Sequence, residues 1–299
     1  MRPDSFVPFY IMGMSARAWL NLGLVILLAG LALITWLKPG QPLPAKPQLT
    51  TLDPETITHI SIQRAGQPAI ELARRSDQWW LTAPLKAMAN EVRVGELLNL
   101  AITTSDTHYK AAKLNLAKYG LAMPEVSVKL NDQTFAFGDI NPFNYRRYVR
   151  VGDTVYLITD SLADLESVDT AAYVTPKLIP SGSDIRALIL PGIKLERMED
   201  GQWKSSPEKL PQAKIQALVN AWREAQAYDV AAYKKTKKRL PSQATVKLAG
   251  GQALRFKVTV RKRELIMARP NLGVEYHLPM SSANSMLKPG SLPSNIPSS

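Results

Sequence analysis

The chain has 299 residues, of which 45% are hydrophobic and 21% are charged, a composition typical of globular proteins rather than disordered ones. It has no cysteine, which excludes disulfides, thiolate-bound metals and thiol nucleophiles. Lys and Arg number 37 against 25 Asp and Glu, a formal net charge of +12. The three histidines, His59, His108 and His277, lie far apart in the sequence. We therefore predict no metal, no cofactor and no catalytic residue.

The first predicted element is a membrane-spanning helix. No charged residue occurs from Ala18 to Leu37, and a helix of that length spans about 30 Å, the thickness of a hydrocarbon core. Trp19 and Trp36 lie one residue inside its ends, where indoles favour the lipid–water interface. A cleaved signal peptide is the alternative, but its apolar region is shorter and is followed by a small-residue cleavage site. The pattern favours an uncleaved, single-pass membrane anchor.

The orientation of this anchor follows less directly from the charges. Two basic residues lie on each side of the span, so the positive-inside rule only slightly favours residues 1–17 in the cytoplasm. The balance also depends on whether translation starts at Met1 or at Met14. With the N-terminus inside, the rest of the chain would lie outside the cytoplasm.

Proline-rich segments flank the central part of the chain. Residues 38–50 contain four prolines, which predicts an extended, semi-rigid spacer. Residues 291–299 are mostly polar and contain two prolines, which predicts a disordered tail.

The central part contains an internal repeat. The block LARRSDQWWLTAP, starting at Leu72, aligns without gaps with LERMEDGQWKSSP, starting at Leu195. The alignment pairs Trp80 with Trp203, and we predict that both indoles are buried structural core residues, with Trp79 more exposed. Each block is followed by an amphipathic helical pattern and then by two hairpin patterns.

These patterns predict two tandem, duplicated units, residues 51–180 and residues 181–290. Each has the order β-β-β-α-β-β-β-β-α. The short connections between strands predict mainly antiparallel sheets, so the fold class is α+β. Asn90 is predicted to cap the first helix, and Pro211 to lie in the first turn of the second.

The anchor, the spacer, the repeated Trp-to-Pro block, the helix and the segment GDINPFNYRRYVRVGDTVYLI together resemble the bacterial envelope family known as domain of unknown function 4340. The resemblance covers most of residues 51–287. It implies a single-pass protein of the bacterial inner membrane with a periplasmic C-terminal domain, in an ABC-transporter context of the gliding-motility or auxiliary type. It implies no catalytic residue.

Charge is distributed unevenly between the two predicted units. Residues 38–180 contain 15 basic and 15 acidic residues, whereas residues 181–290 contain 20 basic and 9 acidic residues, a net charge of +11. Part of the excess alternates with apolar residues in a strand pattern, which predicts cations on one face of a sheet. The candidate anion-binding residues are Lys234, Lys235, Lys237, Lys238, Arg239, Lys247, Arg255, Lys257, Arg261 and Arg263.

Two interpretations of this charge remain open. A basic face can simply aid solubility, or it can bind an anionic phospholipid, an acidic protein or an acidic glycan. The favoured function is a non-enzymatic, membrane-anchored binding or scaffold subunit, accessory to a transporter or an envelope complex. The alternatives are an enzyme acting on an anionic envelope polymer, or a membrane-tethered, cytoplasmic nucleic-acid binder. The second is disfavoured because the basic strand lacks exposed aromatic residues for base stacking.

Overall fold

A computed structural model of the chain describes residues 16–37, 46–159, 162, 164–235 and 242–287. The predicted N-terminal segment up to residue 15, most of the spacer and the C-terminal tail lie outside the described residues. The described helices are α1 (Ala16–Leu37), α2 (Glu91–Leu98), α3 (Gln212–Arg223) and α4 (Met280–Leu287).

The N-terminal helix α1 includes the whole predicted span. None of its side chains is buried against other parts of the protein, and it is long and apolar enough to cross a membrane. It belongs to one compact unit of the chain, residues 1–46, and everything from Pro47 onward belongs to a second.

The second unit contains two antiparallel sheets. The strands of the first sheet are β1 (His59–Arg64), β2 (Ile70–Arg75), β3 (Gln78–Ala83), β4 (Ala87–Met88), β5 (His108–Lys110), β6 (Val126–Leu130), β7 (Gln133–Ile140), β8 (Arg146–Val151) and β9 (Thr154–Thr159). Those of the second are β10 (Ile185–Leu190), β11 (Ile193–Arg197), β12 (Trp203–Ser206), β13 (Asp229–Ala232), β14 (Ser242–Leu248), β15 (Ala253–Val260), β16 (Glu264–Arg269) and β17 (Val274–Pro279).

The two sheets have the same strand order, apart from the extra edge strand β4. The first runs β4-β3-β2-β1-β6-β7-β8-β9-β5, and the second runs β12-β11-β10-β14-β15-β16-β17-β13. The predicted α+β class with antiparallel sheets is therefore confirmed. The helix is followed by five strands in each half rather than the predicted four, because β5 and β13 are edge strands too short to show an alternating pattern.

Helices α1, α2 and α3 form where the sequence patterns predict them, and α4 is the predicted closing helix of the second unit. The predicted closing helix of the first unit does not form in the described residues, where residues 164–167 are a turn and only a 3-10 helix follows at Thr170–Tyr173. The Asn90 side chain accepts a hydrogen bond from the Val92 backbone N–H at 3.1 Å and so caps α2. The apolar stripe of α3 is fully buried, and Pro211 lies at the cap position just before its first turn. Trp222, at the end of that stripe, donates from Nε1 to the Met286 carbonyl at 2.9 Å, which joins α3 to α4.

The predicted pairing of Trp80 with Trp203 as core residues is wrong. Trp79 is the buried indole, 9% exposed, and corresponds to Trp203, 8% exposed, whereas Trp80 is half-buried on the opposite face of β3. The pairing of strands shows why: Arg74 faces Trp79, and Arg197 faces Trp203. The turn of the second hairpin contains one residue more, so a gapless alignment shifts the indole by one position and onto the other side of the strand.

The buried side chains of both sheets form one continuous core. The connection between the sheets is bound to both of them. Asn90 donates its backbone N–H to the Tyr173 carbonyl, and Leu178 donates its own to the Ala225 carbonyl, at 2.8 and 3.2 Å.

The globular part begins earlier than predicted. Leu49 is buried in the core, and Ser105 donates its backbone N–H to the Pro47 carbonyl at 3.0 Å. Residues 47–50, which the proline pattern assigned to the spacer, therefore pack as part of the fold.

Candidate functional site

Three of the predicted cations lie on the outer face of the second sheet, away from the core. Along β15, Leu254, Phe256 and Val258 are buried, so Arg255 and Lys257 point to the opposite face. Lys247 on β14 is exposed on that same face, because its neighbours in the strand point inward. No described carboxylate forms an ion pair with Lys247 or Arg255.

Arg261 and Arg263 were predicted to continue this row along the strand, and this prediction is wrong. Strand β15 ends at Val260, and both arginines lie exposed in the turn that leads to β16. Arg261 is held there by an ion pair, with Nη1 at 3.0 Å from Glu264 Oε1. The turn therefore adds positive charge at one end of the face rather than along it.

The lysine-rich run after β13 is only partly described. The backbone N–H of Lys234 donates to Glu275 Oε2 at 3.2 Å, and Lys235 is exposed beyond it. The remaining predicted cations of the run, Lys237, Lys238 and Arg239, lie outside the described residues.

Lys257 is placed by an aromatic neighbour. Its Nζ lies 5.7 Å from the centre of the Tyr233 ring and 3.4 Å from the Tyr233 hydroxyl oxygen. Beside it is a shallow depression of about 320 Å³, lined among others by Gln243, Arg255 and Asn271. Two cations and two amide side chains thus surround a space on the outer face.

Part of the corresponding face of the first sheet, over β7, β8 and β9, is covered by the chain itself. Ala111, Leu121 and Val155 form a small separate core there, where the segment of residues 111–121 packs on the strands. Gly138 makes this packing possible, because a Cβ at that position would overlap the Tyr119 carbonyl oxygen and lie 2.8 Å from Leu121 Cγ.

The strand registers show which positions of the two faces correspond. Val128 faces Phe135 in the first sheet, and Val246 faces Leu254 in the second. Ala136, one residue after Phe135, therefore corresponds to Arg255, one residue after Leu254. Gly138, three residues after Phe135, corresponds in the same way to Lys257. At these register positions the first sheet therefore has the small residues Ala136 and Gly138, whereas the second has the exposed Arg255 and the half-buried Lys257.

A hydrogen-bonded cluster lies next to the basic residues. His277 Nδ1 is 2.9 Å from Glu264 Oε2, and His277 Nε2 is 3.4 Å from Glu275 Oε1. The hydrogen bond from His277, together with those from Tyr228 and Arg261, lowers the pKa of Glu264 below its ordinary value.

This cluster has the properties of a structural network. Both carboxylate oxygens of Glu264 accept hydrogen bonds from side chains of the protein itself. Among the described residues, no group of three or more His, Asp or Glu side chains is placed to hold a metal ion. Sequence reasoning missed this cluster because its members lie on two strands, and only the β16–β17 register brings them together.

The fold and these surfaces define a class of protein: an apolar N-terminal helix followed by a two-sheet, antiparallel α+β unit. Residues 79–244 match the family described as Domain of unknown function (DUF4340), which is more than half of the chain, and the chain belongs to that family. The match begins in β3 of the first sheet and ends in β14 of the second. No curated protein and no solved structure matches the chain.

Proposed function

We propose that this protein is a membrane-anchored, non-enzymatic binding subunit, with its globular part outside the cytoplasm, that docks an acidic segment of a partner protein. One observation carries the docking part of the proposal. Residues 111–121 close the outer face of the first sheet around Gly138, whereas at the corresponding place the second sheet presents Arg255 and Lys257, with Lys247 beside them.

The comparison of the two faces favours a polypeptide as the ligand. In the first sheet, the material that lies on the outer face is a stretch of extended and 3-10 chain. On the second face, the cations and amides around the depression would pair with the carboxylates of an acidic segment. The shared strand order, apart from β4, also supports the proposal that the two halves are copies of one unit whose outer faces have diverged.

The docking can be tested with labelled polyglutamate as the probe, measured by fluorescence anisotropy on the full chain in detergent. We expect binding that weakens steeply with salt, because exposed charges are screened within about 8 Å at physiological ionic strength. Lys247→Gln combined with Arg255→Gln should raise the Kd about tenfold or more, since it removes two charge-assisted contacts.

The matched control is Lys113→Gln combined with Lys118→Gln. It removes the same charge from the segment that covers the first sheet, where both side chains are exposed. Equal weakening by both pairs would mean that only total charge matters, and would refute a docking face. Binding to phosphatidylglycerol vesicles or to duplex DNA, with none to polyglutamate, would refute a protein ligand and favour a lipid surface or nucleic acid.

The location can be tested separately, because the chain has no natural cysteine. Asp132→Cys, in an exposed turn, should react with a membrane-impermeant thiol reagent in intact spheroplasts. Labelling only after lysis would place the globular part in the cytoplasm and make the nucleic-acid alternative the better one. Release of the protein by high-pH carbonate would contradict the anchor.

A further inference from the structure

The tip of the β7–β8 hairpin exposes aromatic side chains that contact little of the protein. Phe143 is 93% exposed and Tyr145 is 79% exposed, and Ile140 at the end of β7 is also exposed. Apolar groups concentrated at a protruding turn are costly in water and mark a contact surface.

The backbone holds these side chains outward in a defined turn. Asn141 donates its backbone N–H to the Arg146 carbonyl at 2.7 Å and accepts at its own carbonyl from Tyr145 N–H at 2.9 Å. The side-chain oxygens of Asn141 and Asn144 accept from the backbone N–H groups of Phe143 and Arg146. Because the polar groups of the turn satisfy one another, the aromatic rings are left free to contact something else.

The tip lies near Pro47, where the globular part begins. The spacer that precedes it, residues 38–46, is called the tether below. The backbone N–H of Ser105 donates to the carbonyl of Pro47, the first residue of that part. The next residue, Asp106, accepts from Arg146 Nη1 at 2.7 Å, and Arg146 directly follows Tyr145. A short path of contacts therefore connects the entry point of the tether to the aromatic tip.

The tether is short. Nine residues separate the end of α1 at Leu37 from Pro47, and a fully extended chain of that length spans at most about 35 Å. If α1 crosses a membrane, this covalent limit keeps Pro47 within about 35 Å of the end of the span. Phe and Tyr rings are the kind of side chain that bilayer interfaces accept.

We infer that the aromatic tip, residues 140–146, inserts into the headgroup region of the membrane that α1 spans, and so fixes the orientation of the globular part on the bilayer. The inference rests on the anchor in the proposed function and is independent of the basic face. Because the anchor already holds the protein at the membrane, the tip meets lipid at a high effective concentration. Two aromatic side chains can therefore keep the tip inserted, although two alone would not bind an unanchored protein to a membrane.

The experiment uses the full chain reconstituted into phosphatidylcholine vesicles. Pro142→Cys places an environment-sensitive fluorophore in the tip, and Asp132→Cys places it at the opposite end of β7, about 25 Å away by strand length. Lipids with a quencher in the upper acyl chain should quench the tip label several-fold more than the control label. The difference should survive high salt.

A second variant tests the role of the aromatic rings themselves. Adding Phe143→Ser and Tyr145→Asn to the Pro142→Cys chain should lower quenching to that of the control label; Asn tolerates the positive φ of 56° found at Tyr145. Quenching that is equal at both labels, or unchanged by the double substitution, would overturn the inference. Failure of the chain to float with vesicles would instead refute the anchor, so the two failures are distinguishable.

Discussion

Trp79 and Trp80 are adjacent in the sequence but lie on opposite faces of β3. Trp79 packs in the core beside the buried side chains of β2, whereas Trp80 faces Ala73 and Met88 across neighbouring strands and stays partly in solvent. Which of the two is buried depends on one residue in a turn, because side chains alternate along a strand.

The two indoles should therefore differ in their contribution to stability. We expect Trp79→Ala and Trp203→Ala each to lower the free energy of unfolding by about 3–5 kcal/mol, the cost of removing a large buried aromatic side chain. Trp80→Ala should cost about 1–2 kcal/mol, because less of its area leaves water on folding. Urea unfolding followed by circular dichroism measures each loss of free energy. An equal loss for Trp80→Ala and Trp79→Ala would support the prediction from the sequence that Trp80 is a core residue.

Gly138 allows the first sheet to be covered, and its replacement tests that packing. Gly138→Ala should lower the free energy of unfolding by about 1–3 kcal/mol, the usual cost of overpacking, because the new Cβ would overlap Tyr119 and Leu121. Gly95→Ala in α2 is the control. No atom lies within 4 Å of the added Cβ there, and alanine favours a helix, so stability should stay equal or rise. An equal effect of both changes on the free energy of unfolding would mean that residues 111–121 can move away from position 138 at no cost.

At the scale of elements, the β16–β17 hairpin combines an apolar inner face with a polar network on its outer face. Leu265, Met267 and Tyr276 are buried in the core, while Glu264, Glu275 and His277 pair with one another on the other side. The network joins the start of β16 to the end of β17, and its strength depends on the ionisation of Glu264.

This dependence predicts a loss of stability in acid. The pKa of Glu264 is lower in the folded protein than its ordinary value of 4.5, so folding favours the ionised form. The stabilisation is therefore complete above about pH 4.5 and is lost as the pH falls through the folded pKa. Glu264→Gln should be less stable than wild type at about pH 6, and the difference should shrink towards about pH 3. A difference for Glu264→Gln that is independent of pH would contradict the role of the network.

At the scale of the whole globular part, the two sheets share one core, although their strand orders read as two units. The connection between them hydrogen-bonds to both halves: Thr175 donates to the Met88 carbonyl and Ala227 donates to the Pro176 carbonyl, each at 2.9 Å. A side-chain contact across the halves joins Leu85 to the position of Gly273. Neither sheet can lose this connection without exposing apolar surface.

The two halves should therefore unfold together. Hydrogen exchange measured by mass spectrometry in increasing denaturant should show the central strands β1 and β10 losing protection in a single step with the same free energy. The Pro47 end and the edge strand β5 should exchange earlier, because fewer backbone hydrogen bonds hold them. Loss of protection in one sheet at a lower denaturant concentration than in the other would show two independent domains.

The sequence by itself determined the features that depend on neighbouring residues. The apolar stripe of α3, the Asn90 cap, the hairpins that begin at Val128 and Val246, and the long apolar helix all follow from local periodicity and turn chemistry. The placement of Arg255 and Lys257 on one face also follows, because alternation along a strand is a local rule.

Only the tertiary structure decided the features that depend on register and on distant contacts. A single residue of turn length buried Trp79 in place of Trp80, and the end of β15 at Val260 moved Arg261 and Arg263 off the strand. The cover over Gly138, the pairing of His277 with two glutamates and the core shared by both sheets each join residues far apart in the chain. Such contacts are fixed by the packing of the whole molecule, where small changes in loop length outweigh the local pattern.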